Sequence, residues 1–197
     1  MRHHIFLILL FISLLPLQSI GQKFSFKESK FNTTQKGYKN ILIIGSGRVE
    51  NRAFLDELTG KIINSVESDS IKWQYQYLGR STTQANSQIK ELLKENFDAV
   101  LVFSPTDSLP SYYVSYSKPV YSNSPLTPTS GYPQFSTPRR KIEFTSDFTI
   151  QIFDSQNQEI SIWEANLYVN CDVSKKKVYL DISRKLISSF KANKIIN

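Results

Sequence analysis

Gly45-Ser46-Gly47-Arg48 is the stretch whose residue types come nearest to a chemical site. It follows an apolar strand pattern, Asn40 to Ile44, and precedes a helical one. Backbone N–H groups at such a helix start favour anions, and the Arg48 guanidinium would add positive charge. The turn could therefore belong to an anion binder or to a small-molecule or phosphate-using enzyme. The full dinucleotide signature is missing, because Glu50 stands where its third glycine belongs. A tight strand-to-helix turn accounts for the same residues without any ligand.

Two carboxylates invite an acid/base reading. Asp98 precedes an apolar strand and Asp154 precedes a turn, positions that suit Asp for structural reasons alone. Nothing in the sequence brings them together as a pair. Lys175-Lys176-Lys177 falls at the start of the last helix pattern, where the helix dipole disfavours cations, so the run suits either solvent or an external anion.

A third group consists of tyrosines. Seven of the eight prolines lie between Ser104 and Arg140, interleaved with Tyr112, Tyr113, Tyr116, Tyr121 and Tyr132. Proline at that density excludes a long helix or a central strand. Long loops in compact domains are usually functional or disordered, and tyrosine supplies contact area at low entropic cost. These five tyrosines are the candidate partner-binding residues.

The N-terminus bears on compartment. Arg2 precedes an apolar run, Ile5 to Leu17, and Ser19-Ile20-Gly21 offers small residues for cleavage ahead of Gln22. This is the layout of a secretory signal peptide, too short for a spanning helix. No cysteine follows the run, so lipid anchoring is not expected. Cleavage leaves 176 of the 197 residues, and the net charge drops from +7 to +6 with the loss of Arg2. His3 and His4 leave with the signal, so the mature chain has no histidine. That excludes Ser-His-Asp and Cys-His nucleophile systems and the common histidine-based zinc sites. Cys171 is the only cysteine and cannot form an internal disulfide. The basic balance favours an anionic partner, although the positive charges are dispersed.

The elements that must hold these groups can be read from periodicity. Residues 22–39 form a flexible lead-in with room for a short edge strand at Lys23–Lys27. Phe54, Leu58, Ile62 and Val66 mark one helical face after the glycine turn, weakened at Gly60. Ile71 to Leu78 alternates as a strand near a sheet edge. Ile89, Leu92, Leu93 and Phe97 mark a second helix, and Asp98 to Phe103 a buried strand ended by Pro105. This order implies a βαβαβ unit with parallel strands. A hairpin follows, turning at Ser155–Gln158. On its return strand the apolar parity switches at Ile162-Trp163, which predicts a bulge, with Trp163 as a core plug. Tyr179, Ile182, Leu186 and Phe190 then stripe a C-terminal helix.

Asp98-Ala99-Val100 at a strand start, and Ile152, Asp154, Ile160 or Ile162 and Trp163 in the hairpin, carry a resemblance. The chain from Lys39 to Ile196 resembles small bacterial cell-envelope domains: the lipoprotein-like α/β modules of curli secretion and penicillin-binding-protein activation, and the N-terminal domain of the Tol–Pal β-propeller protein. The chain departs from them in lacking a lipobox cysteine. The resemblance implies an accessory or assembly role without catalysis and carries over no functional residue.

The expectation is an α/β fold with a mixed sheet: a βαβαβ core, extended by an antiparallel hairpin and covered by a C-terminal helix. A signal peptide (1–21) and lead-in (22–39) precede one domain (40–197) with a Pro/Tyr-rich loop at 104–140. The expected function is an exported, periplasmic or secreted, binding protein of the envelope, its partner another envelope protein or an anionic envelope component. No cofactor, metal or nucleic acid is implied, and no membrane span after cleavage. The alternative is the enzyme or anion binder centred on Gly45 to Arg48.

Overall fold

The computed structural model describes residues 23–31, 37–66, 71–79, 91–92, 97–106, 110–116 and 140–197. They form seven strands and two helices: β1 (Lys23–Phe31), β2 (Asn40–Gly45), α1 (Val49–Ser65), β3 (Lys72–Tyr77), β4 (Ala99–Pro105), β5 (Ser111–Tyr116), β6 (Arg140–Asp154), β7 (Asn157–Asp172) and α2 (Lys176–Ala192). One mixed sheet runs β1-β7-β6-β4-β2-β3, with β5 also paired to β6. β2 is parallel to both β3 and β4. The remaining pairings, β1 with β7 and β6 with β4, β5 and β7, are antiparallel. The expected α/β fold with a mixed sheet, a hairpin and a covering C-terminal helix is the fold observed.

Alternation decides the two faces. Ile41 and Ile43 of β2, Leu101 and Phe103 of β4, and Phe148, Ile150 and Ile152 of β6 all point to the face that carries α1 and α2. Phe54 of α1 stacks on Phe144 and Phe148 at 4.8 and 5.6 Å between ring centroids. Its third neighbour is Tyr179 of α2 at 5.5 Å, so one ring joins both helices to the sheet. The opposite face has a smaller apolar patch of Leu42, Ile44, Val100 and Val102, against which Leu92 and Phe97 pack. The step from β2 to β3 and the step back past β2 to β4 run in opposite directions. α1, which follows β2, packs on the first face, whereas Leu92 and Phe97, which precede β4, pack on the second.

The hairpin bears the predicted bulge. Ile152 faces Trp163 and Phe153 faces Ser161, leaving Ile162 as the extra residue. Both Ile162 and Trp163 are thereby buried. Trp163 meets Phe190 of α2 edge-on and stacks on Phe26 of β1.

Three expectations need correction. The hairpin turn is tighter than Ser155–Gln158: Asp154 pairs with Asn157 across the two residues Ser155 and Gln156. The Asp154 carboxylate accepts the Gln156 N–H at 2.8 Å and stabilises that tight turn. The lead-in holds a full nine-residue strand, β1, because β7 offers it a long partner edge. Finally, the stretch taken as one loop from 104 to 140 contains β5. β6 is 15 residues long, and β4 covers only its second half, from Phe148 to Asp154. β5 continues along the same edge against Arg140 to Thr145. Proline still excludes a central strand there, and β5 is a strand with a single partner among the described residues.

The signal-peptide reading, most of the helix expected between Ile89 and Phe97, and Tyr121 and Tyr132 lie outside the described residues.

Candidate functional site

The Gly45–Arg48 turn is built as the sequence requires, and its donors are engaged. The Ser46 N–H donates to the Phe103 carbonyl at 3.1 Å, and the Gly47 N–H to the Gly79 carbonyl at 2.9 Å. The Arg48 N–H donates to Asn51 Oδ1 at 3.0 Å, while Asn51 Nδ2 donates to Ser146 Oγ at 3.1 Å. Asn51 is fully buried, so one side-chain amide caps α1 and ties it to β6. Gly47 has φ +123, and a Cβ there would lie 2.8 Å from Asn51 Oδ1 and 2.9 Å from Pro105 Cγ. Its glycine is required by a close approach of the chain itself. The three N–H groups that could have faced an anion thus face acceptors within the fold.

Beside this turn, the inward side chains of β3 make a tyrosine pair. The Tyr75 hydroxyl donates to Asp56 Oδ1 at 2.8 Å and the Tyr77 hydroxyl to the Arg48 carbonyl at 2.6 Å. Arg52 lies over the Tyr77 ring at 5.6 Å and 3.6 Å from Asp56. Burial pushes the Tyr77 phenol up to about 12, against the opposing pull of Arg52. Burial and then the bond to Asp56 push the Tyr75 phenol up as well. Both phenols stay protonated and fasten β3 to α1.

Asp98 and Asp154, which sequence could not pair, line one cleft of about 290 Å³ with Gly37, Tyr38, Lys39, Ser155 and Gln156. Each has a structural task. Asp98 Oδ2 accepts the N–H groups of Lys39 and Asn40 at 3.0 and 2.9 Å. Asp154, 4% exposed, accepts the Tyr38 hydroxyl at 3.0 Å. The cleft sits at the N-terminal ends of β2 and β4. Ligands of open α/β sheets bind beyond the opposite, C-terminal ends.

Of the partner-binding candidates, Tyr112, Tyr113 and Tyr116 come together on β5. Tyr113 and Tyr116 are 63% and 66% exposed. Their register partners are Glu143 and Arg140, and their parity sends them to opposite faces.

A second cleft, of about 340 Å³, was not foreseen. Glu50, Ala53, Phe54 and Glu57 of α1 form one side, and Ile142 and Phe144 of β6 the floor. Val173, Ser174, Lys176 and Tyr179 close it from the β7–α2 junction. That junction is held by Asp172, whose Oδ1 accepts the Ile142 N–H, the Ser174 N–H and the Ser174 hydroxyl. Glu50 Oε2 is buried without a hydrogen-bond partner. The helical spacing of Glu50, Ala53, Phe54 and Glu57 was available in the sequence. What it faces was not.

Among the described residues no three His, Cys, Asp or Glu side chains are grouped to hold a metal. Nor is any helix among them long and apolar enough to cross a membrane.

No family model matches the sequence, and no curated protein matches it. Several solved structures align with this chain at low similarity. PelC from Paraburkholderia phytofirmans, a dodecamer, aligns over 84% of this chain and 96% of its own at 12% identity and a TM-score of 0.44. A point-substituted form of the same PelC, also a dodecamer, aligns over the same shares at 12% identity and 0.43. A Helicobacter pylori protein described as a putative neuraminyllactose-binding hemagglutinin homolog aligns over 82% and 85% at 9% identity and 0.30. Likeness at this level concerns the course of the backbone alone.

Proposed function

We propose that this chain is an exported, non-catalytic binding protein of the bacterial envelope that receives an extended partner segment along β5. The observation that carries the reading is the contrast among its edge strands. Natural sheets guard exposed edges with charge, lysine above all. β1 carries Lys23, Lys27 and Lys30, and β3 opens with Lys72. β5, Ser-Tyr-Tyr-Val-Ser-Tyr, carries no charged side chain, and among the described residues only β6 pairs with it. Strand addition draws affinity from main-chain hydrogen bonds and specificity from the flanking side chains. Exposed Tyr113 and Tyr116 would supply those contacts, one on each face of the extended sheet.

Export rests on the basic, apolar and small-residue order of the first 21 residues. The partner is another envelope protein or an anionic envelope component, in keeping with the basic charge balance.

Hydrogen–deuterium exchange on the mature protein, with and without detergent-solubilised envelope, tests the reading. Amides of residues 111–116 should gain protection, and a double variant Tyr113→Lys/Tyr116→Lys should lose it while keeping its melting temperature. Unchanged exchange across β5, or equal protection in the variant, rejects the proposal.

A further inference from the structure

The excess positive charge of this chain is gathered in one place. From Gln22 to Asp172 the sequence has sixteen lysines and arginines and sixteen acidic residues. From Val173 to Asn197 it has seven cations against Asp181 alone. The cations are spread along the chain, but their excess over the acids belongs to α2 and its flanks.

α2 separates this charge from its apolar side. Val178, Tyr179, Ile182, Leu186 and Phe190 are buried in the core shared with α1 and the sheet. Lys177, Arg184 and Lys191 recur at i, i+7 and i+14, forming one row along the exposed side. The row slips only about 20° per seven residues and spaces its charges about 10 Å apart. Lys185 flanks it, and Lys194 extends it past the helix end, both exposed. Asp181 lies 4.0 Å from Arg184. Among the described residues Lys177, Lys185, Lys191 and Lys194 form no ion pair.

Helix stability does not account for this placement. The first turn of α2 has no acidic residue, and Lys175, Lys176 and Lys177 stand where the dipole disfavours cations. Along the exposed side Asp181 is the single acid that could offset lysines three or four residues away. Solubility is served as well by charges of both signs spread over the surface.

The shape of the face selects among anionic partners. It is the convex back of a helix, and no residue of the row lines either cleft. Nothing there encloses a small anion. Lysine is a hydrated point charge on a flexible stem, whereas fixed bidentate recognition of a phosphate or carboxylate calls for arginine. The apolar side of α2 is committed to the core, so the helix cannot insert into hydrocarbon. A basic helix of this kind suits a membrane surface, and a cluster of four to eight cations is what anionic headgroups attract.

We propose that the exposed face of α2 adsorbs to an anionic phospholipid surface, with Lys177, Arg184 and Lys191 as the central row and Lys185 and Lys194 beside them. The contact is electrostatic and peripheral, made with headgroups alone. It rests on the export reading only for the leaflet that is met. β5 takes no part, and exchange at residues 111–116 reports it separately, so either proposal stands if the other fails.

Co-sedimentation of the mature protein with vesicles decides it. Vesicles of phosphatidylcholine with roughly 30% phosphatidylglycerol should bind the protein, and phosphatidylcholine alone should not. Raising the salt from about 0.05 M to about 0.5 M should release it, because the charges are screened. Each cation near such a surface raises the partition coefficient about fivefold. Lys177→Gln/Arg184→Gln/Lys191→Gln should therefore weaken binding about a hundredfold while keeping the melting temperature. Lys27, Lys72 and Lys141 are exposed and turned by strand alternation to the sheet face opposite α2. Lys27→Gln/Lys72→Gln/Lys141→Gln makes the same change in net charge and should weaken binding less than about fivefold. Equal losses in the two variants, full binding by the α2 variant, or no binding to the anionic vesicles overturns the proposal. Binding of polygalacturonate without binding of the vesicles overturns it too, and moves the face to an acidic polysaccharide.

Discussion

The Tyr38 hydroxyl donates to Asp154 Oδ2 at 3.0 Å, joining positions 116 residues apart inside the fold. Tyr38 leads into β2 and Asp154 ends β6, so the bond fixes the start of the parallel half against the hairpin. Both residues are buried. Tyr38→Phe removes one donor from a buried carboxylate and should cost about 1–3 kcal/mol, read as a lower urea midpoint with an unchanged slope.

Trp163 and Phe190 hold the other end of the antiparallel half, with ring centroids 5.1 Å apart and nearly perpendicular. The Trp163 indole N–H is buried without a partner. Trp163→Ala should therefore cost about 3–5 kcal/mol through lost packing and a cavity. Trp163→Phe should cost less than half of that, since no hydrogen bond is lost. Equal losses in denaturation experiments would mean that the indole nitrogen is bonded after all.

Two glycines should respond with opposite signs to the same substitution. Gly47→Ala puts a Cβ against Asn51 and Pro105 at φ +123 and should destabilise by about 2 kcal/mol or more. Gly60 lies inside α1, and a Cβ there meets nothing within 4 Å. Gly60→Ala should stabilise by about 0.5–1 kcal/mol through helix propensity. Melting temperatures of the two variants against the parent check both signs.

Alkaline pH should weaken the fold through groups whose folded pKa is raised. Burial, then the Asp172 charge, pushes the Cys171 thiol from its ordinary 9.0 to about 11. Burial pushes Tyr77 from 10.0 to about 12. In each case the unfolded chain loses its proton first, so stability is full below the ordinary value and is lost as pH rises through the folded one. Denaturation midpoints should hold below pH 9 and fall between pH 9 and about 12. Cys171→Ala should flatten the early part of that fall and Tyr77→Phe the later part.

Much of this fold was legible where the signal is local. The alternation of Trp73, Tyr75 and Tyr77 marked β3, and the stripe from Tyr179 to Phe190 marked α2. The parity switch at Ile162-Trp163 located the bulge, because a single extra residue exchanges the faces of everything after it. β5 was hidden because the prolines around it outweighed the strand preference of its tyrosines and valine. It forms because β6 extends beyond β4 and offers unpaired hydrogen-bonding groups from Arg140 to Thr145. The candidate sites divide in the same way. The glycine turn was found where it stands, but only the structure brings Phe103, Gly79 and Asn51 to its N–H groups.

The sequence by itself determined the cores of β2, α1, β3, β4, β6, β7 and α2 with their apolar faces, the absence of histidine from residue 22 onward and the impossibility of an internal disulfide. These follow from residue type and from the periods of 3.6 and 2. Tertiary structure alone decided which edge was left without charge, that Asp98 and Asp154 share a cleft, and that Glu50 lines another with Phe144 and Lys176. Those relationships join residues that lie far apart along the chain. Backbone pairing and close packing bring them together, and no local pattern encodes which distant side chain will arrive.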